Sequence, residues 1–412
     1  MKLIGSLCLI FLTTLLLTSA IVAQETQQAV SERIGDDITF PALPYYSFGS
    51  GLGLTAPDST FRLNIRFRMQ NRASLISDEE ERVEAAVRRL RLRFDGFVGD
   101  PRFLYAVQLS FSPGDVGELS DGDNINIIRD AVMFYQPNRR WNIGFGQTKL
   151  PGNRQRVNSS GALQLTDRSI NNAKFTIDRD FGFFVYYLRE DLSRASYNIK
   201  TALSTGDGRN WTKNPGTGMA YTARAELFPF GNFHNNGMLF EGDLYREMSP
   251  KALVAATYHY NQDAQRTRGQ TGSLLFEKRN IESFFADVML KYNGWAFQGA
   301  YMKRAGSDPL TSNPFSEGER RWIETGSGYD LQVSYLLLSG IELIARYSAQ
   351  HLDLQEMQTY SKVSQHSAGV TRYIWEHALK LQAEITRNWF YESDSKPDFK
   401  SWYLRFQVEI GI

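Results

Sequence analysis

Residues 61–72 read Phe61-Arg62-Leu63-Asn64-Ile65-Arg66-Phe67-Arg68-Met69-Gln70-Asn71-Arg72. Successive side chains of an extended chain point to opposite faces, so Phe61, Leu63, Ile65, Phe67 and Met69 share one face. Arg62, Asn64, Arg66, Arg68, Gln70 and Arg72 share the other. One face suits hydrocarbon and the other suits water or anions. The same alternation closes the chain, where Trp402, Leu404, Phe406, Val408, Ile410 and Ile412 alternate with Tyr403, Arg405, Gln407 and Glu409. A first and a last strand of this kind predict a transmembrane antiparallel β-barrel in which the two pair and close the sheet.

The N-terminus predicts export. Lys2 precedes an apolar run from Leu7 to Leu17, and small residues at Ser19, Ala20 and Ala23 lead into polar Gln24 and Glu25. This is the pattern of a secretory signal peptide, residues 1–23, and its apolar run is too short to span a bilayer as a helix. Cys8, the single cysteine, lies inside it, so the expected mature chain has neither a disulfide framework nor a thiolate metal site. Removing Lys2 from 46 basic residues leaves 45 against 45 acidic ones, and a zero net charge makes nucleic acid an unfavoured partner. Residues 24–57 read as a periplasmic segment, too short to plug a barrel, and 58–412 as the barrel.

Sixteen alternating segments of about nine to twelve residues recur from 61–72 and 86–98 through 378–387 and 402–412, the length a tilted membrane strand needs. Eight long polar links alternate with seven short ones, as expected of an even barrel with loops at one rim and turns at the other. The strongest hairpin signal is Asn293-Gly294, between Tyr292 and Trp295, since a type I′ turn needs positive φ at both central residues. Leu239–Tyr245 also looks strand-like. Counting it would give seventeen and move that turn to the wrong rim, so residues 229–251 read as a long periplasmic turn.

A sixteen-stranded barrel leaves an aqueous channel, and the side chains that narrow it decide what passes. Alternation in Arg89-Leu90-Arg91-Leu92-Arg93-Phe94-Asp95 sends Arg89, Arg91, Arg93 and Asp95 to the lumen beside Arg62, Arg66, Arg68 and Arg72. Guanidinium groups stay charged and bind phosphate or carboxylate oxygens through paired donors, so a file of them can pass anions along a wall. The competing reading is that they pair with inward acids, for which Asp95, Asp130, Glu226, Asp287, Asp330, Glu342 and Glu384 are candidates. The longest link, 148–180, carries Lys149, Arg154, Arg156, Arg168, Lys174 and Arg179, and an apolar insert Ala162-Leu163-Gln164-Leu165. That insert predicts packing, either inside the lumen as a constriction or over the barrel mouth as a flap.

The stretch VRRLRLRFDGFVGDPRFLYAVQLSF, followed by IRDAVMFYQPNRRWNIGFGQTKLPGNRQR, resembles the phosphate-selective porin O and P family of Gram-negative outer membranes. The likeness runs from Phe48-Gly49-Ser50-Gly51-Leu52, through Asp130-Ala131 and Gly146-Gln147 with Lys149, to the last strand. It implies a sixteen-stranded porin, usually a homotrimer, with an inward third loop and an arginine ladder that conducts anions. Matched residue by residue, the ladder falls on Arg62, Arg66, Arg89, Arg91 and Arg93, with Arg68 beside them. The constriction falls on Arg168 and Lys174. Two departures stand out: the many lumenal acids, which weaken the case for phosphate, and Ile412 where such barrels commonly end in an aromatic ring.

The rival functions are an outer-membrane lipid hydrolase and a non-conducting barrel used for adhesion or scaffolding. The hydrolase needs Ser and His together on the lipid side, whereas His366 and Ser367 are strand neighbours that point to opposite faces. No HExxH, Walker-type loop or GxSxG elbow occurs, the histidines lack metal-ligand spacing, and no cofactor is implied. The expected partners are outer-membrane lipid and small anions or other small solutes.

Overall fold

The computed structural model describes residues 51–116, 127–210, 218–353, 360–391 and 399–412. The expected signal peptide, Cys8 and most of the segment 24–57 lie outside them. Sixteen strands form one closed antiparallel sheet. They are β1 (Phe61–Ser77), β2 (Glu81–Val98), β3 (Asp100–Ser110), β4 (Ile128–Tyr135), β5 (Trp141–Lys149), β6 (Arg179–Arg189), β7 (Ser196–Ser204) and β8 (Ala220–Phe228). The second half holds β9 (Lys251–Arg266), β10 (Leu274–Tyr292), β11 (Trp295–Gly306), β12 (Gly326–Leu336), β13 (Ile341–Leu352), β14 (Lys362–Trp375), β15 (Leu379–Tyr391) and β16 (Phe399–Gly411).

Each strand pairs with its sequence neighbours, and β16 returns to β1 in a register running from Trp402 opposite Ser77 to Gly411 opposite Arg68. Closure pairs the first strand with the last, as a sheet in hydrocarbon requires. The earlier half of β1 extends beyond the end of β16. There a short strand, Leu52–Thr55, pairs with Arg62–Ile65, so the segment before the barrel supplies partners where the last strand runs out.

The pleat sorts residues as the sequence predicts. In β8 the side chains alternate between buried and exposed along all nine residues, with Thr222, Arg224 and Glu226 inside and Tyr221 and Leu227 outside. All seven candidate inward acids are buried. The Asn293-Gly294 turn has φ of 46° and 87°, as type I′ requires. Trp295 faces outward and packs against Tyr335 on β12 with ring centroids 4.7 Å apart.

Residues 239–245 form no strand, and the link from β8 to β9 does not hang free below the barrel. Phe233, Phe240, Glu241, Asp243 and Glu247 are all buried. Lys291 Nζ donates to the carbonyls of Gly237 and Phe240 at 2.7 and 2.9 Å, and Gly294 N donates to Asp243 at 2.7 Å. This turn therefore folds back into the barrel end.

The lumen is also less uniformly polar than alternation suggests. Phe97, Leu104, Val132, Phe134, Phe184 and Tyr186 are buried in one apolar cluster with Leu150, Phe175 and Ile177 from the long link. Apolar side chains inside a barrel need an apolar partner, and the ends of that link provide it.

Candidate functional site

The link from β5 to β6 begins as a hairpin, with Leu150 N donating to Asp178 O at 3.1 Å. Beyond that contact it turns into the lumen as two short helices, α1 (Arg154–Val157) and α2 (Ile170–Phe175), with a 3-10 turn at Ser160–Ala162 between them. Ala162, Leu163 and Leu165 are at most 1% exposed, which identifies the constriction reading over the flap. A loop inside a barrel must find partners for its backbone groups, because buried N–H and C=O groups are costly when unpaired.

Side chains from around the wall supply them. Lys380 on β15 donates to the carbonyls of Gly161 and Leu163, both at 2.7 Å. Glu384 accepts from Thr166 N at 2.9 Å and from its hydroxyl at 2.7 Å. Arg304 on β11 donates to the carbonyls of Lys174 and Thr176 at 2.9 and 3.0 Å, and Arg224 on β8 to that of Gly152 at 2.9 Å. From below, Glu241 of the inward turn accepts from Gln164 N at 2.9 Å. The loop and the turn thus meet inside the barrel.

The wall arginines fall into two groups. Arg66 and Arg93 share Asp95, at 3.1 and 2.8 Å, and Arg62 donates to Asn64 at 3.1 Å, itself bonded to Asp95. Arg68, Arg89 and Arg91 instead hold the loop. Arg68 donates to the hydroxyls of Ser159 and Ser160 at 2.9 and 2.7 Å, and Arg91 reaches Ser160 Oγ at 3.0 Å while pairing with Asp115. Arg89 reaches Asp167 at 3.0 Å.

Asp167 is the hub of this second group, for Arg72 and Arg88 pair with it too. Simple alternation from Arg89 would send Arg88 to lipid. A bulge changes this: Gln70 lies opposite Arg89 but Asn71 lies opposite Val87, so Arg88 is the extra residue and its guanidinium reaches inward.

Arg168 donates to the carbonyls of Gln155 and Asn158 at 2.6 and 2.9 Å, bracing the loop from within. Lys174 stands apart from the other predicted residues and pairs with Glu324, in the link from β11 to β12, at 2.7 Å.

A cavity lies between the loop and the wall of β2–β7. Five cationic side chains line it, Arg91, Arg93, Lys149, Arg179 and Lys200, and Asp130 is the one carboxylate among its lining residues. Arg179 holds Asp130 in a bidentate pair at 3.0 and 3.0 Å. Lys149 donates to the carbonyls of Val157 and Asn158 at 2.8 and 3.0 Å. Asp115 and Glu226, which pair with Arg91 and Lys200, are not part of the lining. Lys200 was not a sequence candidate. It occupies a strand whose alternation marks it as inward, but nothing in one strand says which inward residues will face the same cavity.

The sequence profile of phosphate-selective porins O and P matches residues 61–337, well over half of the chain. The chain belongs to the phosphate-selective porin O and P family. This porin is therefore an outer-membrane channel protein of the Gram-negative envelope, a porin for small solutes. No curated protein sequence matches it. Among solved structures, its fold is similar to the outer membrane channel DcaP of Acinetobacter baumannii, with 13% identity, 87% of this chain and 99% of that one covered, and a TM-score of 0.54. It is also similar to OmpF of Salmonella typhi in complex with daunomycin, with 11% identity, 87% and 100% coverage and a TM-score of 0.54. A loop-deletion variant of OmpT of Vibrio cholerae gives 10%, 86% and 100%, and 0.51. At these identities the likeness is one of fold.

His366 of the porin is exposed on the outer face, beside the ring of Trp389, while Ser367 is buried on the inner face and accepts from Thr386 at 2.7 Å. The two cannot act as a nucleophile and base pair.

The porin's loop hub should resist acid. Burial alone would raise the Asp167 carboxyl, but Arg89, Arg88 and Arg72 outweigh burial and hold it well below the usual carboxylate range. Asp178 is shifted the same way, with burial opposed by Arg156 and Arg179. A depressed folded-state value means that the stabilisation is fully present above the unfolded value of about 3.9 and is lost only as pH falls through the folded one. Amide hydrogen exchange in residues 152–176, corrected for intrinsic rates, is expected to show equal protection at pH 7 and pH 5. Loss of protection at pH 5 would mean that the hub does not hold the loop.

Proposed function

We propose that this porin is a passive channel that prefers small anions, phosphate among them, exported by its N-terminal signal and working as a homotrimer in outer-membrane lipid. The observation that carries the reading is the cavity beside the loop, where five cations meet one carboxylate. Four of the five are ion-paired, but Asp95, Asp115 and Glu226 stand outside the lining, so the passage meets the cationic ends of these pairs first, and a positive face in a low-dielectric passage favours anions over cations. Arg62, Arg66, Arg68, Arg89, Arg91 and Arg93 form the substrate path in this reading. Arg62, Arg66 and Arg93 gather around Asp95 and Arg68, Arg89 and Arg91 at the loop, which supports a continuous cationic side. Arg168 acts by fixing the loop, and Lys174 by pinning its outer end. No step of chemistry is involved and no cofactor is required. The homotrimer rests on the family resemblance, and Ala345 opposite Ala368 on the outer face leaves room for a close neighbour.

The test is the zero-current potential of the reconstituted protein across a KCl gradient, followed by phosphate titration of the chloride conductance. A potential of anion sign with phosphate-dependent block is expected, and a potential of cation sign rejects the reading. A second reading, a non-conducting scaffold, draws on the contact between Glu241 of the inward turn and Gln164 of the loop. Absence of current steps would favour it.

A further inference from the structure

On the opposite side of the loop, against β10–β13, a second cavity has a different chemistry. Arg154, Gln298, Asp330, Gln332 and Arg346 line it, together with Asp287. Arg154 is 6% exposed, yet among the described residues it has no ion pair, and its Nε and Nη2 are buried without a hydrogen-bond partner. Arg346 Nε, Gln298 Nε2 and Gln332 Oε1 are also buried and unpartnered. A buried guanidinium left without a partner is costly, so the site is built to be completed by solvent or by a solute.

The unpartnered atoms define the solute. Four donor atoms on Arg154, Arg346 and Gln298 call for a carboxylate. Gln332 Oε1 calls for a donor, and beside it stands Asp330, whose oxygens accept from Ser169 and Asn171 at 2.7 and 2.9 Å but whose negative charge has no ion-pair partner among the described residues. Asp287 is occupied in a bidentate pair with Arg224 at 2.8 and 2.9 Å, but its charge still faces any incoming polyanion. Phosphate therefore suits the cavity beside β2–β7 better than this one. A small zwitterion suits this one, its two ends being opposite in charge and only a few atoms apart.

We infer that the β10–β13 side of the lumen is a second solute path with a binding site for small zwitterionic amino acids, the carboxylate on Arg154 and the ammonium toward Asp330 and Gln332. This rests on the reading of the chain as a diffusion porin. The test is uptake of labelled L-serine and labelled chloride by proteoliposomes holding wild type, Arg154→Met or Gln298→Leu. Serine uptake should saturate in the wild type. Arg154→Met should lower it about tenfold at low serine and make it linear with concentration, while chloride uptake stays within twofold; Gln298→Leu, which removes no charge, should weaken saturation several-fold. Linear serine uptake in the wild type, or equal losses of serine and chloride in both variants, would overturn the site. Wild-type vesicles that pass neither solute would instead reject the porin reading itself.

Discussion

Replacing Arg91 and Arg93 together by glutamine is expected to lower the anion-to-cation permeability ratio at least tenfold. Both line the cationic cavity. A unit charge about 6 Å from a passing ion is worth about 2–3 kcal/mol at an effective dielectric constant near 20. Salt screening takes part of that, and a tenfold change needs only about 1.4 kcal/mol. The pair is chosen because the fold should tolerate it. Asp115 keeps Arg129 at 3.2 Å and Asp95 keeps Arg66 at 3.1 Å, so neither carboxylate is left buried without a cation. Reversing Arg66 and Arg91 to glutamate would set new acids against Asp95 and Asp115, mixing a stability loss into the selectivity change. The effect should shrink as KCl rises from 0.1 to 1 M, since the screening length falls from about 10 to about 3 Å. An unchanged zero-current potential would place the ion path away from these two residues.

The strand count, the closure between β1 and β16 and the lumenal side of Arg89, Arg91 and Arg93 were all legible, because each depends on the period of two and on link length. What was not legible depends on contacts made across the lumen. Asp167 is one of several acids in a polar loop, and only the folded path of that loop shows that it gathers Arg72, Arg88 and Arg89. Arg88 needed a bulge that its neighbours Val87 and Arg89 do not announce. In β4 Asp130 marks the inner face, but Val132 and Phe134 share that face, with Met133 outside, and polarity did not announce that the lumen there is lined by apolar side chains. The inward turn from β8 to β9 was recognised as a turn from its place in the count. Its burial follows from Lys291, which is 2% exposed at the end of a strand and satisfies its ammonium on the turn's carbonyls.

The larger effect on current should come from removing the loop. Residues 151–177 can be replaced by a four-residue Gly-rich turn, because Leu150 and Asp178 already face each other as hairpin partners. Single-channel conductance should rise several-fold and ion selectivity should fall, since wall charges act over one screening length and the widened lumen would exceed it. The barrel should still form. Lys380 keeps Glu409 at 3.4 Å, and Arg304 and Arg68, stripped of their loop carbonyls and hydroxyls, would face water instead of a dry contact. Retained heat-shifted migration in SDS gels would confirm that the sheet is closed. If conductance stays unchanged in a closed barrel, the limiting passage is the second inward element, the turn that carries Phe240 and Glu241. Trimming that turn alone should then produce the increase that removing the loop did not.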